Sequence, residues 1–297
     1  MIENKSMTSR IRIVVTYTFI ILAGLLCLFP LWNVVAISFS SSWAVVADKV
    51  TWYPIDFTMA AYKELFKDNQ FWRSFGISVV RVILSLIINM VIMVLMAYPL
   101  SKTKEEFRGR NIYMGLLLVA MLFNGGTIPT YLVVKQYGLL NSIWALVLTG
   151  AVPIFNTIMV KNFFVGIPKS LEEAAIIDGA NPLQVLVKIF IPCSKPVLAT
   201  VALFSIVGNW NDYFKGLIYM PKLKNLPLMS YIRDIVINLQ QLADSGASAE
   251  ELASAAKISN DALNSAKIVV AVVPLLIIYP LLQKYLITGI TIGSVKE

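Results

Sequence analysis

Six runs of mostly apolar residues dominate this sequence, at about 14–38, 77–100, 112–133, 143–164, 196–220 and 268–286. Each is near the roughly 20 residues that a helix needs to cross hydrocarbon about 30 Å thick. Inside a bilayer no water is present to bond free backbone groups, so runs of this kind resolve as helices. Pro30, Pro99, Pro129, Pro153, Pro274 and Pro280 interrupt them, which helical bundles tolerate where neighbouring groups take up the freed carbonyls. The composition agrees: 58% of residues are hydrophobic and 14% charged, against about 45–50% and 25% in ordinary soluble domains. The expected fold is therefore all-α, a polytopic membrane protein with six transmembrane helices forming one domain over residues 1–297.

The net charge of +8 is explained by where the cations lie. Lys5, Arg10 and Arg12 precede the first run, and Lys102, Lys104, Arg108 and Arg110 fill the short linker after the second. Basic short loops stay cytoplasmic. Six crossings then place the segment 169–192 and both termini inside, with 39–74 and 221–267 outside. Asp48, Asp56, Glu64 and Asp68 offset the basic residues of the first outer segment, and the charge reports topology rather than nucleic-acid binding. The first run is too long for the roughly 7–15 residues of a signal h-region, and is read as an uncleaved anchor.

The chain has no histidine, and its two cysteines, Cys27 and Cys193, sit in or beside apolar runs. This argues against metal sites, cofactor ligation, Ser/His/Asp triads and Cys/His pairs. No G-x-x-x-x-G-K-[ST] loop is available to cradle ATP phosphates. The expectation is a protein that is not an enzyme and has no metal or cofactor.

One loop differs from the rest. Residues 172–192 read EEAAIIDGANPLQVLVKIFIP. Ser170 with Glu173 three residues on has the form of a capping box. Leu171, Ala174, Ala175 and Asp178 follow helical spacing, and Gly179 can take the positive φ that ends a helix. Asn181-Pro182 opens a second helix set at an angle to the first. The result is a short helix across the cytoplasmic face, shaped either to plug into a partner or to rest on lipid headgroups.

Polar groups at membrane depth mark cavities or helix partners. Asn209, Trp210, Asn211, Asp212 and Tyr213 combine amides, a carboxylate and aromatic rings, a set suited to sugar by stacking and hydrogen bonding, or to interhelical contact. Asn124 lies in the break FNGGTIP, which is either a gate or a kink. Asn89 and Asn156 are single amides, better suited to helix packing. The outer stretch ending in LQQLADSGASAEELASAAKISNDALNSAK has too few apolar residues for a core of its own, and is read as docking a partner or as a solvated loop.

The loop resembles the signature of permease subunits of ATP-binding-cassette importers: E-A-A, three residues, G, nine residues, I, one residue, L-P. Glu173-Ala174-Ala175, Gly179, Ile189 and Pro192 occupy those spacings, with Ile191 in place of Leu. The run GGTIPTYLVVKQYGLLNSIWALVLTGAV and the ending YPLLQKYLITGITIGSVKE extend the resemblance to carbohydrate importers of the maltose type, and to the branch handling complex oligosaccharides such as aldouronate, alginate or pectin fragments. The resemblance implies that the loop helix docks on a cytoplasmic ATPase, with Glu173 at the contact, Gly179 at the turn, and Glu172, Ala174, Ala175 and Asp178 beside them. It further implies two ATPase subunits, a second homologous permease, an extracytoplasmic substrate-binding protein and a bacterial plasma membrane. The rival is a self-contained secondary transporter of a small polar solute, whose markers are inverted repeats and a buried ion site. No repeat is evident, and Asp212 is nearly alone as an intramembrane acid.

Overall fold

The computed structural model describes residues 7–123, 125–235 and 261–294. Among them the regular structure is helical. In chain order the helices are α1 (Met7–Ser38), α2 (Ser42–Val46), α3 (Ala60–Lys67), α4 (Asn69–Ser101), α5 (Arg110–Leu122), α6 (Thr127–Gln136), α7 (Ile143–Leu148), α8 (Ile154–Val165) and α9 (Lys169–Ile177). After α9 come α10 (Pro182–Cys193), α11 (Lys195–Asn211), α12 (Phe214–Tyr219) and α13 (Asp261–Ser294).

The apolar runs meet different fates. Helices α1, α4 and the described start of α13 are long and apolar enough to cross a membrane unbroken. The third run is a bent pair, α5 with α6; the fifth is broken at 212–213 into α11 and α12, and α11 meets α10 of the preceding loop at a bend of 83° at Ser194. The run 143–164 is split at 149–153 into α7 and α8, and α8 supplies only 12 residues. Pro153 stands at that break and cannot donate a backbone hydrogen bond. Helices also begin earlier than the apolar runs: α4 starts at Asn69 and α13 at Asp261, so the outer segment expected to end at 267 gives its last residues to a helix. The rest of its polar stretch, 236–260, lies outside the described residues, as do Asn124 and Lys5.

The chain divides into two compact units, 1–69 with 235–272 and 70–234 with 273–297. In the first, the end of α1 is capped by the segment that follows it. Ala36, Ala44 and Val50 form a small core, Trp32 Nε1 donates to the Trp52 carbonyl at 2.7 Å, and Asn33 Nδ2 donates to the Thr51 carbonyl at 2.8 Å. Phe39 stacks on both Phe57 and Tyr62. Lys267 pairs with Asp68 at 2.8 Å. From Ile11 to Trp32 no α1 residue is buried, a surface that belongs in hydrocarbon.

In the second unit, Met93, Val94 and Ala97 of α4 pack with Val160 and Phe164 of α8, Val185, Leu186 and Phe190 of α10, and Val197, Leu198 and Val201 of α11. Dense packing there fixes the platform from which α9 projects. Within α10, residues 186–190 form a widened π turn. It lies directly before Pro192, whose ring and missing N–H are incompatible with an ordinary α turn.

Candidate functional site

The short loop helix is present as α9, but its start differs from the expected capping box. Pro168 holds the N-cap position, no side chain caps it, and Ser170 lies within the first turn. The reciprocal box occurs instead at the next helix, where Asn181 Oδ1 accepts from Gln184 N and Gln184 Oε1 accepts from Asn181 N, both at 2.9 Å. The end of α9 follows the expected chemistry. Gly179 has φ +79°, its N–H donates to the Ile176 carbonyl at 3.0 Å, and Ala180 N–H donates to the Ala175 carbonyl at 2.9 Å. This pair of bonds is a Schellman turn, and it needs the left-handed conformation that glycine adopts without steric cost.

The turn sorts the residues of α9 into two sets. Ala175 and Ala180 pack against the core of the second unit. Glu173, Ala174, Asp178 and Gly179 are exposed, together with Ile176 at 57% and Ile177 at 85%. Together they form an exposed apolar edge flanked by carboxylates. Glu172 does not belong to that surface: its carboxylate pairs with Lys102 at the C-terminal end of α4, and the two side chains are only 18% and 13% exposed. The Lys102 ammonium also lies over the rings of Tyr98 (4.2 Å) and Phe190 (4.6 Å).

A second polar construction runs through α4. Ser74, Ser78, Arg81, Ser85 and Asn89 are all buried, and their three- and four-residue spacing puts them on one face. The bonds at this face reach the breaks after α11 and between α7 and α8, and also the segment that follows α12. Gln70 Nε2, at its upper end, bonds Ser74 Oγ at 3.0 Å and the Leu223 carbonyl at 2.8 Å. Ser78 Oγ accepts from Leu228 N–H at 2.8 Å. Arg81 donates to the Asp212 carbonyl and carboxylate, where α11 stops. The Asn89 amide satisfies its surroundings when its nitrogen faces the Gly150 carbonyl (3.1 Å) and the Ala151 carbonyl (3.2 Å), at the gap between α7 and α8, and its oxygen accepts from Ser205 Oγ at 2.9 Å. The face thus supplies the partners that broken membrane helices require.

The residues expected along a pathway are divided by this arrangement. Trp210 is buried, edge-to-face on Phe75 at 5.5 Å, and Asn209 bonds back to the Ser205 carbonyl at 2.8 Å. Asp212 is engaged by Arg81, accepts from Lys215 N–H at 3.2 Å and faces Lys215 Nζ at 3.8 Å. Asn211 and Tyr213 are exposed, with Phe204 and Gly208 continuing the Asn211 face of α11. The Arg233 guanidinium lies over the Tyr213 ring at 5.9 Å. Arg81 and Lys215 were not singled out from sequence, and Lys102 was read only as one of the cations that set the topology. A readable signal existed for the first, a cation within an apolar run in register with serines and an amide.

Long apolar helices, with broken spans tied by a polar seam, define a polytopic membrane protein. The model of the binding-protein-dependent transport system inner membrane component matches residues 76–292, and the chain belongs to that family. It is a permease subunit, not an enzyme, and is embedded in the membrane. Among relatives, the chain is 38% identical to the polygalacturonan/rhamnogalacturonan transport system permease protein YtcP of Bacillus subtilis (strain 168), over 98% of this chain and 100% of that one. It is 40% identical to protein LplC of the same organism, over 92% and 90%. A crystal structure of a bacterial ABC transporter involved in the import of the acidic polysaccharide alginate contains a chain that superposes with a TM-score of 0.84 and 32% identity, covering 94% of this chain and 98% of that one.

Proposed function

We propose that this permease crosses the bacterial plasma membrane six times with both termini cytoplasmic, and works beside a second homologous permease, two ATPase subunits and a substrate-binding protein to import an acidic oligosaccharide. The observation that carries the reading is α9: a helix ended by Gly179 at φ +79°, with Glu173, Ala174, Ile177 and Asp178 outward and Ala175 packed inward. ATP-driven closure of the ATPase pair displaces this helix and biases the pathway between inward- and outward-open states. Two relatives named for polygalacturonan and alginate transport support the acidic class. So does the grouping of an exposed amide and aromatic ring, Asn211 and Tyr213, with the cations Lys215 and Arg233, since cations and rings together suit a carboxylated sugar.

The test is to tag the chain in its native membranes, identify what copurifies, and follow uptake of oligogalacturonates and alginate oligomers. An ATPase and a second permease are expected in comparable amounts. Glu173→Ala and Gly179→Asp are expected to reach the membrane but lose uptake, whereas Gly179→Asn, which tolerates positive φ, retains it. Normal uptake by Glu173→Ala and Gly179→Asp at wild-type levels would overturn the role given to α9.

A further inference from the structure

We propose that Lys102 is the joint through which displacement of α9 is passed to α4. The inference rests on the reading of α9 as the ATPase contact and adds the route by which its motion enters the membrane. Lys102 follows the last residue of α4, Glu172 is in the first turn of α9, and Phe190 is in the widened turn of α10. One ammonium therefore ties three elements: it pairs with the Glu172 carboxylate and sits over the rings of Tyr98 and Phe190, which themselves meet edge-to-face at 5.0 Å. A largely desolvated cation held by a carboxylate and two ring faces resists displacement, because losing the carboxylate strands two enclosed charges and losing a ring forfeits a cation–π contact.

The far side of the joint is equally fixed. From Lys102 back to Arg81 is about 30 Å of helix at 1.5 Å per residue, and Arg81 grips Asp212 at the end of α11, next to the exposed Asn211 and Tyr213. Movement of α9 at one end is thus passed toward the break after α11 at the other, along a helix that runs from Arg81 to Ser101 with Pro99 in its last turn. Glu173, one residue from Glu172, faces the partner. The adjacent carboxylates divide the work: Glu173 receives the displacement and Glu172 hands it on.

The experiment uses the full complex purified from native membranes, with Cys27→Ser, Cys193→Ser and Asn211→Cys, and measures maleimide labelling at position 211 with and without a non-hydrolysable ATP analogue. With Lys102 and Glu172 intact, nucleotide is expected to change the labelling rate by about fivefold or more, within the span of coupling between sites. Lys102→Gln and Glu172→Gln each bring the ratio close to one, and the double variant loses no more than either single, as for two halves of one contact. Lys102→Arg, which keeps the cation over the rings, retains the response, and ATPase subunits copurify with every variant. A full response in Lys102→Gln, or losses that add in the double variant, would overturn the joint while leaving α9 as the docking helix. Loss of the ATPase from the Lys102→Gln complex would also overturn it, by making Lys102 part of the docking surface. An unaltered chain that copurifies with no ATPase would remove the α9 reading itself, and the joint with it.

Discussion

Arg81 holds Asp212 at two points, its Nη2 donating to the carboxylate at 2.6 Å and its Nη1 to the backbone carbonyl at 2.9 Å. The guanidinium is almost wholly enclosed, with 1% of its side chain exposed, whereas the aspartate retains 22%. Removing one partner strands the other in a medium that solvates it poorly. Arg81→Met and Asp212→Asn are each expected to destabilise the detergent-solubilised protein by about 3–5 kcal/mol, and the combined variant by less than the sum. Thermal unfolding of the purified protein checks this, and single variants that melt with the wild type would show the pair to be unimportant for stability.

Asn89 is the only buried amide among the described residues, and its nitrogen serves the carbonyls left by the split between α7 and α8. Asn89→Leu fills similar space but supplies no donor. The expected loss is about 1–3 kcal/mol, the cost of unsatisfied buried polar groups. The same melt measures it, and a leucine variant as stable as the parent would mean that the carbonyls find other donors.

Gly216 is enclosed by Ser230, which donates to the Tyr213 carbonyl at 2.7 Å. A Cβ at 216 would stand 1.9 Å from Ser230 Oγ and 2.8 Å from its Cβ, closer than atoms can approach. Gly216→Ala is expected to cost about 1–3 kcal/mol or more through forced backbone movement, and Ser230→Gly in the same chain to recover part of it. Membrane level and melting temperature of the single and double variants decide the matter. A harmless Gly216→Ala would show that the segment after Tyr213 shifts freely.

Glu106 closes the turn after α4. Its carboxylate accepts from Thr103 N–H at 2.7 Å, and this backbone bond, aided by the Thr103 side chain, holds its pKa below the ordinary value of 4.5 despite some opposing desolvation. A group depressed on folding stabilises above its unfolded pKa and loses that contribution as pH falls through the folded value. The wild type is therefore expected to lose stability below about pH 4.5 more steeply than Glu106→Gln. Parallel pH–stability curves for the two proteins would contradict the assignment.

Much of this was legible before any coordinates. Apolar run length gives the helical class, and α1 and α4 cover the expected spans with extra turns. Gly179 declares its conformation because the turn it makes admits little else. The start of α9 was misread: Ser170 and Glu173 have the right spacing, but Pro168 occupies the N-cap and Ser170 falls inside the first turn, so spacing alone did not locate the helix start. Polar residues in spans were harder still. Trp210 and Asn211 are neighbours in sequence, yet one is buried on Phe75 and the other exposed, a distinction set by packing against other helices. On α4, Asn89 was legible as a helix-packing amide, but the seam it forms with Ser74, Ser78, Arg81 and Ser85 was not, because the partners of that face lie in distant segments.

The grip of Arg81 on Asp212 joins residues 131 positions apart, which has a consequence for biosynthesis. When α4 leaves the ribosome its counter-ion has not yet been made. The helix must enter the bilayer carrying an uncompensated arginine near one end of its apolar run, at less than the about 2.5–3.5 kcal/mol of a mid-depth site, a cost that an 18-residue stretch of mean hydropathy 2.6 within α4 can bear. Synthesis of α11 then brings the carboxylate, so that a delayed neutralisation recruits the late helix to the early one. The same arginine that hinders insertion thereby gives the nascent bundle a reason to close in one order.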